Sequence, residues 1–186
     1  MVKITFFGTQ EFGRGILESL MSDSVFEVIA VFTQPDKPVG RKQEIQMSPV
    51  KLLAQEKNIP IFQPDSLKNY EIPNLGADLN IVCQYGLIIP QTVLDSTKHG
   101  SINIHTSLLP RYRGASPIQS AILNGEKETG TTIMLMDSKM DHGPILAQEK
   151  ITINQDDNYL TLSEKMLPPA CTLLNRTIKE YLSGKI

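Results

Sequence analysis

The sequence predicts an α/β protein built on a mainly parallel, twisted sheet with helices on both faces. Three observations carry that expectation. Short β-like apolar runs alternate with segments of helical period along the whole chain. The runs at 2–7 and 78–83 read as continuous strands, as expected for strands buried on both faces. Glycine and proline punctuate the joins between segments, and no internal repeat, low-complexity stretch or domain boundary breaks the pattern.

Residues 2–7 are expected to form the first strand, Gly8 and Thr9 its turn, and 11–21 a helix with Phe12, Ile16, Leu17 and Leu20 on one face. A second strand covers 26–33. Residues 34–48 hold Pro35, Pro38, Gly40 and several charges and read as one long loop, which in a compact domain marks function or disorder. A helix follows over 49–57 with Pro49 in its first turn, then a short strand at 59–62. Residues 78–83 make a buried strand, and 85–90 a loop into a short helix ending at Leu94. Strands are expected at 101–105, 131–136 and 145–153, with a helix over 116–123 between the first two. A helical region over 158–182 closes the chain, interrupted or re-angled at Pro168 and Pro169, because proline lacks the donor N–H and crowds the preceding turn.

With 186 residues, 40% of them hydrophobic and 20% charged, the chain suits one domain with a substantial core. A formal net charge of −2 supplies no global basic field, so any contact with nucleic acid must be local. Cys83 and Cys171 are the only cysteines and form no Cys-x-x-Cys pair, which suits reduced thiols. The opening apolar run is too short for a signal peptide or membrane span and no longer one follows, so a cytoplasmic protein with no membrane partner is expected.

The chemistry concentrates near the middle. In the strand 101–105, Asn103 and His105 share one face and Ile102 and Ile104 the other, because strand side chains alternate. An amide donor and an imidazole thus converge at a strand end, where α/β proteins place ligands. The loop 136–145 offers Asp137 and Asp141, with Gly143 and Pro144 constraining its exit. A carboxylate beside an imidazole stabilises its charged form and orients the ring, and Asp141, at the constrained end, is the better candidate. All three residues are expected at strand ends on one edge of the sheet. Gly8-Thr9-Gln10-Glu11-Phe12-Gly13 occupies the place of a dinucleotide loop, but Gln10 replaces the second glycine and Glu11 puts a carboxylate where an anion would bind, so a plain strand-to-helix turn fits better. A metallohydrolase from His105, His142, Asp141 and Cys83 lacks any organising ligand spacing.

Asn103-x-His105, the stretch Ser107-Leu108-Leu109-Pro110-x-Tyr112-Arg113-Gly114, and Asp141-x-Gly143 resemble the signature of the folate-dependent formyltransferase superfamily. The loop from Gln34 to Arg41, Ser48-Pro49-Val50-Lys51, the opening Phe7-Gly8-Thr9-x-Glu11-Phe12 and the block from Gly125 to Thr132 narrow the resemblance to the methionyl-tRNA formyltransferase family. It covers residues 2 to about 186.

The resemblance implies a Rossmann-like formyltransferase fold, with 1–186 as the catalytic domain and the family's C-terminal β-barrel domain absent. It implies transfer of the formyl group of 10-formyltetrahydrofolate to the methionine amine of initiator methionyl-tRNA, in translation initiation, with no metal and a monomeric enzyme expected. Asn103, His105 and Asp141 match the family's catalytic trio. Attack of a neutral amine on the formyl carbon builds an oxyanion, which Asn103 and a protonated His105 would stabilise by about 10²–10³ in rate per donor. Moving the proton from the amine to the departing folate nitrogen, by water or by His105, would add roughly 10²–10⁴. By the same resemblance the reduced folate is contacted by Tyr85, Gly86, Leu87 and Ile88 and by Ser107, Leu108, Leu109 and Pro110. Lys37, Arg41 and Lys42 form a basic finger that would approach the tRNA acceptor stem.

Two positions depart from the family pattern. Gln10 stands where a proline is usual, and His142 adds a ring beside Asp141 that either pairs with it, in competition with His105, or faces solvent. Formylation of a smaller amine, an amino-sugar nucleotide or glycinamide ribonucleotide, is the alternative activity, and the proline-rich basic loop argues against it. A non-catalytic folate- or RNA-binding remnant is the other alternative, and the intact trio argues against that one.

Overall fold

The computed structural model describes residues 1–39 and 44–186. In chain order its elements are β1 (Val2–Gly8), α1 (Glu11–Ser22), β2 (Phe26–Phe32), β3 (Lys37–Val39), β4 (Glu44–Gln46), α2 (Pro49–Glu56), β5 (Ile61–Phe62), β6 (Leu79–Cys83), α3 (Gln91–Leu94), β7 (Ser101–His105), α4 (Pro117–Leu123), β8 (Glu128–Leu135), β9 (Ile145–Thr152) and α5 (Tyr159–Leu182). Seven strands form one sheet in the order β5–β2–β1–β6–β7–β8–β9. Pairings from β5 to β7 are parallel, and β8 and β9 add antiparallel at one edge.

Strand parity divides the core in two. Ile4, Phe6, Ile81, Ile102, Ile104 and Ile133 face α1, α2, α4 and α5, whose buried residues include Ile16, Leu53, Ile118 and Leu173. Phe7, Phe32 and Val82 face the other way, under Leu67, Val93 of α3, and the partly buried Tyr70, Ile72 and Leu75. There Phe7, Phe32 and Phe62 stack with ring centroids 4.7 and 4.8 Å apart. The second face is therefore covered by one short helix and a length of coil, which leaves room for a cavity beside β6 and β7. Caps set the helix starts. The Ser48 side chain accepts from Lys51 N at 3.0 Å ahead of Pro49, and Asn158 forms a capping box with Thr161.

Two expectations change here. Residues 34–48 are not wholly loop, because β3 and β4 pair antiparallel, with Lys37 opposite Gln46. The three β4 residues are exposed, and a ribbon standing in solvent needs no apolar face to announce it. The closing helix is not interrupted, and α5 runs through Pro168 and Pro169 as one element. Met166, Ala170, Leu173 and Leu174 are buried on either side of the prolines, while Glu164 and Pro168 lie on the exposed side. The carbonyls left without helical donors are those of Glu164 and Lys165, in the solvent-side stretch.

From β1 the chain steps outward to β2 and β5, then returns past β1 to β6 and β7. That reversal opens a crevice at the carboxyl ends of β1 and β6, where ligands bind in open parallel sheets.

Candidate active site

The carboxyl end of β7 presents the site. Ile102 and Ile104 anchor the strand in the larger core, so Asn103 and His105 are turned to the opposite face. His105 is only 6% exposed. Its Nε2 lies 2.9 Å from the carbonyl oxygen of Tyr112, and since a carbonyl only accepts, Nε2 carries the proton of that bond. Its Nδ1 faces Asp141 Oδ1 at 3.6 Å. Asn103 Nδ2 approaches the same oxygen at 3.5 Å, and Asp141 Oδ2 accepts from the backbone N–H of Gly114 at 2.7 Å.

Asp141 reaches this meeting by a route other than the expected one. The three residues do not sit at strand ends on one edge, because β8 runs antiparallel to β7 and its last residue, Leu135, pairs with Ile102. Met136 N donates to Ser101 O, beside the beginning of β7. The loop must therefore double back across the sheet face to Asn103 and His105. It does so through Asp141 at φ +47° and through Gly143, where a Cβ would lie 2.0 Å from Leu135 O. The loop's other acid and its histidine pair with each other: His142 Nδ1 is 2.7 Å from Asp137 Oδ2. That contact holds the Asp137 carboxyl below the usual carboxylate range and leaves Asp141 to the trio.

A cavity of about 810 Å³ opens in front of the trio. Asn103, His105, Asp141 and the 84–89 segment line it, along with Gln10, Thr106, Gly114 and Met136. Tyr85 contributes backbone rather than ring. Its side chain is buried against Phe7, at 5.5 Å between centroids, and burial pushes its phenol pKa up. Its carbonyl accepts from Thr9 Oγ1 at 2.8 Å and Gln34 Nε2 at 2.9 Å, which clamps the loop to the ends of β1 and β2. Gly86 follows at φ +81°, and Ile88 is 86% exposed at the rim.

Ser107, Leu108, Leu109 and Pro110 do not line the cavity, which the chain leaves after Thr106 and rejoins at Gly114. Ser107 and Leu109 are buried beneath the turn instead. Ser107 Oγ donates to Arg111 O at 2.6 Å, Ser107 O accepts from Thr132 Oγ1 at 2.6 Å, and Leu109 O accepts from Gln148 Nε2 at 2.9 Å. His105, Thr132 and Gln148 form one cross-strand row over β7, β8 and β9. Thr132, Gln148, Tyr112 O and Gly114 N join the site without having been expected there from the sequence. The first two are signalled only by alternation once the register of β8 is known, and the last two are backbone groups with no side-chain signal. Lys37 lies on the exposed ribbon, its Nζ donating to Gln34 Oε1 at 2.7 Å. Arg41 and Lys42 lie outside the described residues.

The sequence profile described as formyl transferase matches residues 2–178. Methionyl-tRNA formyltransferase of Listeria innocua is 46% identical over 190 residues, spanning all of this chain and 60% of that protein. The enzyme of the same name from a Hydrogenobaculum species is 47% identical over 187 residues, spanning all of this chain and 61% of the relative. The chain thus spans about 60% of the length of the curated relatives it matches. Among solved structures, phosphoribosylglycinamide formyltransferase from Bacillus halodurans superposes with a TM-score of 0.78 at 25% identity, covering 99% of this chain and 97% of that one. WlaRD, a sugar 3N-formyl transferase solved in the presence of dTDP and 5-N-formyl-THF, gives a TM-score of 0.69 at 25% identity, covering 99% and 64%. With a profile match along nearly its whole length and a fold shared with these enzymes, the chain belongs to the formyl transferase family.

Proposed function

We propose that this chain carries the formyl-transfer centre of a methionyl-tRNA formyltransferase, which moves the formyl group of 10-formyltetrahydrofolate to the α-amine of methionine on initiator tRNA. The observation that supports it most is the convergence of Asn103, His105 and Asp141 on the wall of one cavity of about 810 Å³, within the range that holds a cofactor-sized ligand.

The donor lies with its pterin against the backbone of Tyr85, Gly86, Leu87 and Ile88, and its formyl carbon before the trio. The turn Ser107, Leu108, Leu109 and Pro110 lies behind that site and holds the chain between Thr106 and Gly114, its Ser107 and Leu109 carbonyls accepting from Thr132 and Gln148. The amine attacks the formyl carbon and the oxygen takes up charge, which the Asn103 amide and the His105 imidazolium stabilise. Asp141 orients both donors and balances the imidazolium. As the bond from carbon to the folate nitrogen breaks, the proton from the amine reaches that nitrogen by water or through His105 Nδ1, since Nε2 is committed to Tyr112. The reaction draws on no metal and no covalent intermediate. Lys37, Arg41 and Lys42 meet the acceptor stem, and the setting is cytoplasmic translation.

The relatives named for methionyl-tRNA are 43–47% identical, against 17–25% for the matched structures named for smaller amines, and this favours the tRNA acceptor. The test is a competition assay in which the chain and 10-formyltetrahydrofolate meet charged initiator tRNA, glycinamide ribonucleotide and an amino-sugar nucleotide together. Label is expected on the tRNA-borne methionine. Label on a small amine instead overturns the acceptor, and label on none overturns the activity.

A further inference from the structure

The His105 imidazole is bracketed by two residues in the left-handed backbone region, Tyr112 at φ +55° and Asp141 at φ +47°. Such a conformation is unfavourable for a residue bearing a Cβ and persists only where the surroundings over-determine it. Asp141 is held by Gly114 N. Tyr112 is held from outside the cavity. Its hydroxyl donates to Glu126 Oε1 at 2.6 Å, and Arg111 pairs with the same carboxylate oxygen while its guanidinium lies 5.3 Å from the Tyr112 ring centroid. Glu126 sits at the join of α4 and β8, its N–H donating to Ala121 O at 3.1 Å. The Tyr112 hydroxyl, then Arg111, keeps its carboxyl below the usual range, so it is an anion at neutral pH.

We propose that Glu126 is a positioning residue for His105: it fixes Tyr112 so that the Tyr112 carbonyl keeps one proton on Nε2, and Nδ1 is the nitrogen that takes up and gives back the second proton beside Asp141. The chain of contacts is continuous, from Glu126 to the Tyr112 hydroxyl and from the Tyr112 carbonyl to Nε2. Without the anchor the strained turn relaxes, the carbonyl withdraws, and a neutral imidazole can place its proton on Nδ1.

The kinetic part rests on the formyl-transfer reading, and the tautomer part does not, so the two fail separately. The experiment is ¹⁵N NMR of the His105 ring at mildly alkaline pH, assigned against the His105→Gln spectrum, for the unaltered chain, Glu126→Ala, Glu126→Gln and Tyr112→Phe. The unaltered chain is expected to show protonated Nε2 and unprotonated Nδ1. Glu126→Ala and Tyr112→Phe should shift toward a mixture of tautomers, lower kcat by about tenfold and leave KM for the formyl donor within about twofold. Glu126→Gln, whose amide oxygen still accepts from Tyr112, should restore most of both. Combining Tyr112→Phe with Glu126→Ala should add nothing to either single change. An unchanged tautomer in the folded Tyr112→Phe protein, which loses one oxygen atom and is the control should Glu126→Ala not fold, overturns the proposal. So does a Glu126→Gln protein as impaired as Glu126→Ala.

Discussion

Asp141 divides its two carboxylate oxygens between two tasks. Oδ2 is bound to the turn through Gly114 N at 2.7 Å, while Oδ1 faces Asn103 and His105 together. Asp141→Asn keeps the shape, but it removes the charge that, in the proposed mechanism, balances the imidazolium. A loss of about 10²–10³ in kcat is expected, with the thermal midpoint little changed. If Asn103 and His105 act on one transition state, as the proposed mechanism has it, Asn103→Ala/His105→Ala should lose much less than the product of the single losses. Steady-state rates for the four proteins of that cycle check it, and multiplicative losses would contradict a coupled trio. Asn103 and His105 were legible because a strand alternates faces and Ile102 and Ile104 claim the core. The choice of Asp141 over Asp137 was legible from Gly143 and Pro144. The pairing of Asp137 with His142, and the backbone partners Tyr112 O and Gly114 N, were not, since they depend on where a loop folds back and not on any residue pattern.

At the level of the elements, the site depends on two glycine turns. At Gly86, φ is +81° and an added Cβ would lie 2.2 Å from Gln34 Nε2, the group that donates to Tyr85 O. Gly86→Ala should therefore destabilise the fold by about 1–3 kcal/mol and weaken folate binding, as read by urea midpoints and ligand titrations. Unchanged folate affinity would remove the 85–88 loop from the donor site. Most strands and helices were legible within a few residues from period and punctuation. The direction of β8 was not, because an apolar strand after a helix has the same pattern whether it runs parallel or antiparallel. The ribbon of β3 and β4 escaped because exposed charged strands mimic a loop. The unbroken α5 escaped because burial of Met166, Ala170 and Leu173 outweighs the two missing helical bonds.

The whole molecule links charge to stability. Lys179, Lys51, His142 and Lys165 hold Asp23, Asp36, Asp137 and Asp157 below their ordinary value of 3.8, and Glu126 lies below 4.5. Groups with depressed folded values stabilise fully above the unfolded value and lose that contribution as pH falls through the folded one. Burial raises the Cys83 thiol above 9.0 and the Tyr85 phenol above 10.0, so stability is lost again as pH climbs past those values. A plateau in thermal midpoint from about pH 5 to 9, falling on both sides, is the expected profile. Midpoints that rise below pH 4 would contradict the ion pairs. A reduced folate that binds only the native state should stabilise it by about 2.7 kcal/mol at a hundredfold excess over its dissociation constant, and a flat thermal titration with 5-formyltetrahydrofolate would count against the donor site. The most direct measurement is single-turnover transfer of labelled formyl from 10-formyltetrahydrofolate to methionyl-tRNA, by the unaltered chain and by His105→Ala side by side. One formyl-methionine per tetrahydrofolate released is expected from the unaltered chain, and a rate lower by at least about a hundredfold in the folded variant. Equal rates in the two proteins would place the chemistry somewhere other than the carboxyl end of β7.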